Sequence, residues 1–241
     1  MSVNASSNLM EFLRRLKEAR ETATDPTRDD LDLEPRRPAA VALVIVGVLF
    51  LALPNSIAAG CNWLPLVFIV MMFVPLSFTR RHGWHAVNHI MAIVLISLVT
   101  LYMLLSFGFA AFALLHRLDS PSVLLRTASS LWASNVLVFA WWYWRLDAGG
   151  PHVRGMFYGH RNGAFLFPQM TLSPVNLVKQ NMTDWTPGYL DYLFVAFNTS
   201  TALSPTDTPV LSIWAKLLTM LQSSISLGII TFLAARAVGI L

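Results

Sequence analysis

Long apolar runs separated by short polar segments dominate the chain from residue 39 onward. Each run approaches the roughly 20 residues that an α-helix needs to cross a bilayer. The runs cover residues 39–58, 62–78, 89–115, 121–144 and 210–235. This pattern predicts an all-α membrane protein with about five transmembrane helices.

Composition agrees with the pattern. Of the 241 residues, 55% are hydrophobic and only 12% are charged, which lies outside the usual range of soluble domains. The single cysteine, Cys61, excludes an intrachain disulfide and any multi-cysteine metal site. The net charge of +4 arises from Lys and Arg residues near the ends of the apolar runs, as the positive-inside rule requires, so we expect no nucleic-acid partner.

The chain divides into three regions. Residues 1–37 are predicted to be cytoplasmic, with an amphipathic helix at 8–20 that lies on the membrane surface or packs on a neighbouring subunit. No small-residue cleavage site follows the first apolar run, so we expect no cleaved signal peptide. Residues 38–118 hold transmembrane helices 1–3, and residues 119–241 form the rest of the membrane region.

The segment 145–186 is the only sizeable extramembrane piece after the N-terminal region. Asn162-Gly163 lies between two aromatic runs there, which favours a small β-hairpin. Further on, Asp184 or Thr186 followed by Pro187 predicts a helix start, because a side-chain oxygen caps free N–H groups and proline lacks one.

The stretch FNTSTALSPTDTP, residues 197–209, is too polar for the middle of a membrane helix. The helix that begins near Pro187 has only about three apolar turns, and Pro205 disfavours helical geometry at Ser204. Residues 187–209 are therefore predicted to form a re-entrant pore helix and loop before the last helix. The partial negative charge at the helix C-terminus would favour cations.

The run DYLFVAFNTSTALSPTDTPVLSIWAKLLTMLQ resembles the pore helix, filter and inner-helix start of tetrameric potassium-channel-like proteins, whose pattern is T-x-T-T-V-G-Y-G-D. Thr199 and Thr201 match pore-helix threonines, Asp207 matches the acid after the filter, and Lys216 lies near a basic position. The filter positions depart from the pattern: Ala202 replaces the threonine, Leu203 the valine, Ser204 and Thr206 the glycines, and Pro205 the aromatic residue.

Most of the chain also resembles an uncharacterised bacterial membrane-protein family with this pore-like ending. The resemblance implies a homotetramer in the bacterial inner membrane. Its pore module would consist of an outer helix 121–144, the loop 145–186, the pore helix and filter-like loop 187–209, and an inner helix 210–239.

A weakly selective passive cation channel is the predicted function. Ser204 and Thr206 resist the backbone conformations that glycine allows in a potassium filter, so monovalent or other cations would pass partly hydrated, with an acidic ring formed by Asp207. Polar residues on one face of the last helix are predicted to line the cavity, with Gly228 as a hinge; they are Thr219, Gln222, Ser223 and Ser226. The alternative is that they are hydrogen-bonding contacts between helices, with Gly228 allowing close packing.

The topology leaves a parity problem. Basic residues place the N-terminal region, the loop with Arg80 and Arg81, and the segment 145–186 on the cytoplasmic side, so a pore loop would enter from inside. One alternative is that residues 187–204 cross the membrane, which gives a six-helix transporter or scaffold bundle. Alternatively an early run, above all the proline-containing 62–78, does not cross fully.

Three histidines, His82, His85 and His89, share a helix face and form an alternative metal site. No carboxylate lies nearby in sequence to orient them, and interfacial histidines beside arginines also serve as head-group contacts. No hydrolase triad, phosphate loop or paired carboxylates stand out, so we expect neither enzymatic activity nor a cofactor.

Overall fold

The computed structural model describes residues 36–116, 120–156, 163–173, 176–177, 180, 182, 185–204 and 207–238. These residues contain seven α-helices and no strand beyond one isolated bridge between Phe165 and Val210. The helices are α1 (Arg37–Leu51), α2 (Leu64–Arg81), α3 (His85–Leu115), α4 (Pro121–Leu146), α5 (Pro151–Met156), α6 (Tyr189–Thr201) and α7 (Ile213–Val238). Short 3-10 helices cover Asp147–Gly149 and Pro168–Thr171.

Four helices, α2, α3, α4 and α7, are long and apolar enough to cross a membrane. This confirms the all-α membrane class, whereas α1 falls short of its predicted crossing length. Its 15 residues span about 22 Å, less than the roughly 30 Å hydrocarbon core. The predicted run 39–58 is not one helix, because Pro54 restricts the residue before it and begins a turn.

The helices alternate in direction. Arg145 at the end of α4 donates to Asn88 at the start of α3, so these two helices are antiparallel. Arg36, which precedes α1, is close enough to Arg145 for their charges to interact. We call this end of the bundle, where α1 and α3 begin and α2 and α4 end, the basic end. Six arginines mark it: Arg36, Arg37, Arg80, Arg81, Arg145 and Arg154.

Helix α4 occupies the centre of the bundle and packs against α1, α3, α6 and α7. Its fully buried residues include Phe139, Ala140 and Tyr143. Helix α7 runs away from the basic end, since Trp214 contacts Phe165 there and Gly228 lies against Phe107 in the second half of α3. Residues 36 and 238 therefore lie at opposite ends of the bundle.

Two local predictions meet different outcomes. The helix predicted to start near Pro187 begins at Tyr189. The helix is therefore confirmed, and its predicted start is correct to within two residues. The first aromatic run of the predicted hairpin lies outside the described residues, so the hairpin stays a prediction; the run after Gly163 pairs with residues 209–211. Asn162 and Asp184 lie outside the described residues, as does the predicted helix at 8–20.

Candidate functional site around α6 and residues 202–212

The start of α6 is tied to the end of α4 through Asp147, which is fully buried. One carboxylate oxygen of Asp147 accepts from the backbone N–H of Ala164, and the other accepts from the Tyr192 hydroxyl at 2.7 Å. Arg154 adds to this junction, because its guanidinium donates to the carbonyls of Trp144 and Asp147 and lies 5.1 Å from the Tyr192 ring centre. The first turn of α6 therefore lies at the basic end.

The N-terminus of α6 is capped from within. The backbone N–H of Gly188 donates to Asp191 Oδ2 at 2.8 Å, so the carboxylate satisfies one N–H that the helix leaves free. Burial raises the pKa of the Asp191 carboxyl, and the bond from Gly188 opposes that shift. The cap is therefore Gly188 with Asp191, rather than the predicted Asp184 or Thr186.

The chain beyond α6 returns to the same junction. The backbone N–H of Leu166 donates to the carbonyl of Pro209 at 3.0 Å, and that of Leu211 donates to the carbonyl of Ala164 at 2.7 Å. Ala164 is also the residue whose N–H binds Asp147. The first turn of α6 and residues 209–211 are consequently attached to the same end of α4.

Between these two attachments α6 extends along α4 towards the middle of the bundle. The rings of Phe197 and Trp132, the latter near the midpoint of α4, are 6.0 Å apart. The helix stops at Thr201, and Leu203 adopts a left-handed backbone with φ of 55°. Such a residue commonly ends a helix, and for a side chain as large as leucine it is strained.

Gln222 joins three helices through its fully buried side chain. Its Nε2 donates to the carbonyl of Ala196 at 2.7 Å and to Ser200 Oγ at 2.8 Å, both on α6. Its Oε1 accepts a short hydrogen bond from the Tyr143 hydroxyl on α4. Both halves of the amide are thus satisfied, and the amide fixes α6 between α4 and α7.

One turn further along α7, at Ser226, the polar contact continues with Asn135 of α4. Its Nδ2 donates to Ser226 Oγ at 2.7 Å and to the carbonyl of Gln222 at 3.3 Å. Asn135 Oδ1 and the neighbouring Ser134 Oγ are buried and have no hydrogen-bond partner among the described residues. A polar strip therefore runs through the contact between α4 and α7.

The predicted filter residues lie at the inner end of α6 and beyond it. Ala202 and Leu203 are exposed in the single chain, and Ser204 is half-buried. Asp207 is exposed close to the basic end, where the chain returns. Pro205 and Thr206 lie outside the described residues.

The predicted supporting threonines both belong to α6. Thr199 is fully buried and donates to the carbonyl of Val195 at 2.8 Å. Thr201 is exposed and donates to the carbonyl of Phe197 at 2.9 Å. Each hydroxyl is therefore satisfied within the helix.

The predicted cavity residues of α7 divide by burial. Gln222 and Ser226 are fully buried and bonded to α4 and α6, and Thr219 is buried and donates to the carbonyl of Lys216. Ser223 is half-buried. The contacts of Gln222 and Ser226 match the alternative interpretation, hydrogen bonding between packed helices.

Gly228 has a packing role in this structure. Helix α7 continues without a break through it, and a Cβ at this position would lie 2.8 Å from the Phe107 ring. The absence of a side chain therefore lets α7 approach α3. The hinge stays a prediction.

The three histidines do not converge. His82 contacts the carbonyl of Phe78 at 2.9 Å, and His85 stacks on His152 with ring centres 3.6 Å apart. Within the part of the chain that the structure describes, no group of three His, Cys, Asp or Glu residues is arranged to hold a metal ion. The metal alternative has no support from these residues.

Sequence reasoning missed the residues that position α6. They are Tyr143, Asn135, Ser200 and Asp147, and two of them carry a signal in the sequence. A lone asparagine inside the apolar run of α4 and an acid directly after it are both costly in a membrane unless they have partners. Their partners, on α6 and α7, lie about 45 to 90 residues away in sequence and cannot be read from local pattern.

Comparison with known proteins adds no relative: no family model, no curated protein and no solved structure matches the chain.

Proposed function

We propose that the chain is a subunit of a passive, weakly selective cation channel, in which α6 and residues 202–209 form a re-entrant pore loop. The observation that carries the proposal is that α6 begins at the basic end and that residues 209–211 bind there again. A segment that enters and leaves at one end, with a helix stopping near the midpoint of α4, has the layout of a pore loop rather than of a crossing.

Basic residues orient this loop. The arginines of the basic end make it the cytoplasmic side by the positive-inside rule, so the loop would enter from the cytoplasm. This arrangement answers the parity problem without a sixth crossing. Followed in direction, the four long helices and the shorter α1 put residues 36 and 238 at opposite ends of the bundle, which supports termini on opposite sides of the membrane.

The irregular backbone after α6 supports an assembly. Non-helical backbone at membrane depth must be buried in protein or line a water-filled cavity, because lipid satisfies no N–H or C=O group. Ala202 and Leu203 are exposed in the single chain. Further copies around an axis, as in the homotetramer implied by the resemblance, would cover these residues and enclose water between them. The setting would be a bacterial inner membrane.

Charge supports cations as the permeant species. The C-terminal carbonyls of α6 carry partial negative charge towards the middle of the bundle. Asp207, exposed near the basic end, would contribute one carboxylate per copy to the entrance. Ser204 and Thr206, which replace the two glycines of the pattern, lack the backbone freedom of glycine, so we expect hydrated cations to pass with little discrimination.

The test is cation flux into vesicles that contain the purified protein. We expect potassium and sodium to enter at similar rates and chloride to be excluded. Asp207→Asn should reduce cation entry at least about two-fold at low salt and less at high salt, because salt screens an exposed charge. Asp30→Asn makes the same charge change in the N-terminal region and serves as the control. Equal flux in wild type and Asp207→Asn would refute the acidic entrance, and no flux in wild-type vesicles would refute the channel.

A further inference from the structure

Arg145 is an unusual residue for its position. It lies in the last turn of α4, within an apolar helix long enough to span the membrane, and only 5% of it is exposed. A buried guanidinium is costly unless a carboxylate or several acceptors compensate for lost water. The stability of this site therefore depends on the groups that solvate the Arg145 guanidinium.

The protein supplies only part of the compensation. Nη2 of Arg145 donates to the backbone carbonyl of Asn88 at 3.1 Å and to Asn88 Oδ1 at 3.2 Å. The Asn88 amide is held in this orientation because its Nδ2 donates to Leu76 and Thr79 on α2. Nε of Arg145 is buried and has no acceptor among the described residues.

No carboxylate in the described part of the chain pairs with Arg145. The acid closest in sequence, Asp147, directs its two oxygens to the N–H of Ala164 and the hydroxyl of Tyr192. The contacts that Arg145 does make are all to neutral groups of Asn88. Among the described residues, its positive charge is thus solvated by protein dipoles alone.

The surroundings of Arg145 add positive charge. Arg36 before α1 and Arg154 in α5 both repel it electrostatically, and Arg145 in turn repels the protonated form of His89. The N-terminus of the 15-residue α1 begins at the same place and contributes partial positive charge. Arg36 and Arg154 therefore both lie close enough to Arg145 for their positive charges to act on it.

Convergent arginines at a membrane face are suited to phosphate. A guanidinium binds a phosphate oxygen through short charge-assisted hydrogen bonds, and basic pockets between membrane helices on the cytoplasmic side bind anionic head groups. Trp141 and Trp144 adjoin Arg145, and tryptophans concentrate at the depth of head groups. The position and the charge thus both match a phosphate-bearing ligand.

We propose that Arg145, with Arg36 and Arg154, forms a binding site for a phosphate group, supplied by an anionic lipid of the leaflet at the basic end. The phosphate provides a counter-charge that no described carboxylate gives Arg145, and it brings together the start of α1 and the end of α4. This site does not depend on whether the chain conducts ions.

The test compares lipids that differ only in head-group charge. The purified protein in neutral detergent receives dioleoyl phosphatidylglycerol or dioleoyl phosphatidylcholine, and native mass spectrometry counts the bound lipid while thermal unfolding follows stability. We expect one phosphatidylglycerol per chain to bind about ten-fold more tightly than phosphatidylcholine. Arg36→Gln should weaken phosphatidylglycerol binding about five-fold, as one interfacial charge contributes about 1 kcal/mol.

Arg145→Gln should abolish the preference for phosphatidylglycerol. Arg145→Lys keeps the positive charge, so it shows whether a loss in Arg145→Gln comes from the missing charge or from a folding defect. Arg81→Gln is the matched control, since Arg81 is exposed at the same end. It should change binding less than about two-fold because salt screens an exposed charge. Equal binding of both lipids, or equal losses in Arg36→Gln and Arg81→Gln, would overturn the proposal.

A third arm adds inorganic phosphate, with sodium chloride at equal ionic strength as the reference. Stabilisation by phosphate that requires Arg145 and occurs without lipid would support the phosphate site and identify a soluble anion as its source. Stabilisation by phosphatidylglycerol alone would identify the lipid. Stabilisation by phosphate that persists in Arg145→Gln would contradict the site.

Discussion

Replacing Gln222 by leucine tests whether the amide holds α6 in place. The substitution keeps a similar volume but removes the bonds to Ala196, Ser200 and Tyr143. Hydrogen bonds between membrane helices contribute on average about 0.6 kcal/mol each, so three give about 2 kcal/mol. The Tyr143 hydroxyl, buried in the core, would also lose its acceptor, which adds about 1 kcal/mol or more.

Gln222→Leu is therefore expected to lower the free energy of unfolding by about 3 kcal/mol. Ser200 limits the loss, because its hydroxyl can turn to the carbonyl four residues earlier in α6. Reversible unfolding in mixed detergent micelles measures the change. Ser224→Ala is the control, since Ser224 is exposed on the same helix and bonds only to its own backbone at Met220.

A double-mutant cycle with Tyr143→Phe isolates the bond between α4 and α7. When both partners are changed, no orphaned hydroxyl remains, so the double variant should be less destabilised than the sum by about 1 kcal/mol. Additive losses would show that the two side chains do not interact. A Gln222→Leu variant within about 0.5 kcal/mol of wild type would refute the role given to the amide.

Two further predictions follow from packing and topology. Gly47→Ala should destabilise the protein by about 1–2 kcal/mol, because the new Cβ would lie 3.0 Å from the backbone Cα of Leu66. The control Gly108→Ala in α3 has open space and should be neutral or stabilising by up to about 1 kcal/mol. Thermal unfolding distinguishes the two variants, and equal effects would contradict the close contact of α1 with α2. Reporter fusions at the two ends of the chain should report opposite sides of the membrane with the N-terminus cytoplasmic, and a same-side result would refute the re-entrant path.

Helix positions could be predicted from the sequence because apolar run length and proline position are local properties. The start of α6 was found to within two residues, and the ends of α3 and α4 also follow their runs closely. The first run failed because hydrophobicity continues past the point where Pro54 turns the chain. The residues after that turn, such as Ile57, stay buried, so composition alone could not separate helix from turn.

Side-chain partners were much harder to predict. Periodicity correctly grouped Thr219, Gln222 and Ser226 on one face, and the structure buries all three. Period alone does not say whether such a face meets water or a neighbouring helix. That depends on contacts such as the one from Gln222 to Ala196, which joins residues 26 apart in sequence. The same limitation applies to Phe165, whose bridge partner Val210 lies beyond α6.

The short first helix has a consequence for the surrounding lipid. The turn after α1 meets α3 at Ser106, which accepts from the backbone N–H of Ala59, whereas α3 continues for nine more residues, 107–115, or about 14 Å. The outward faces of α1 and α2 are apolar up to this step, with Val48 and Val67 exposed. Hydrophobic mismatch is relieved by local thinning of the bilayer. On this flank the acyl chains must therefore end earlier than beside α3, and short-chain lipids fit it best.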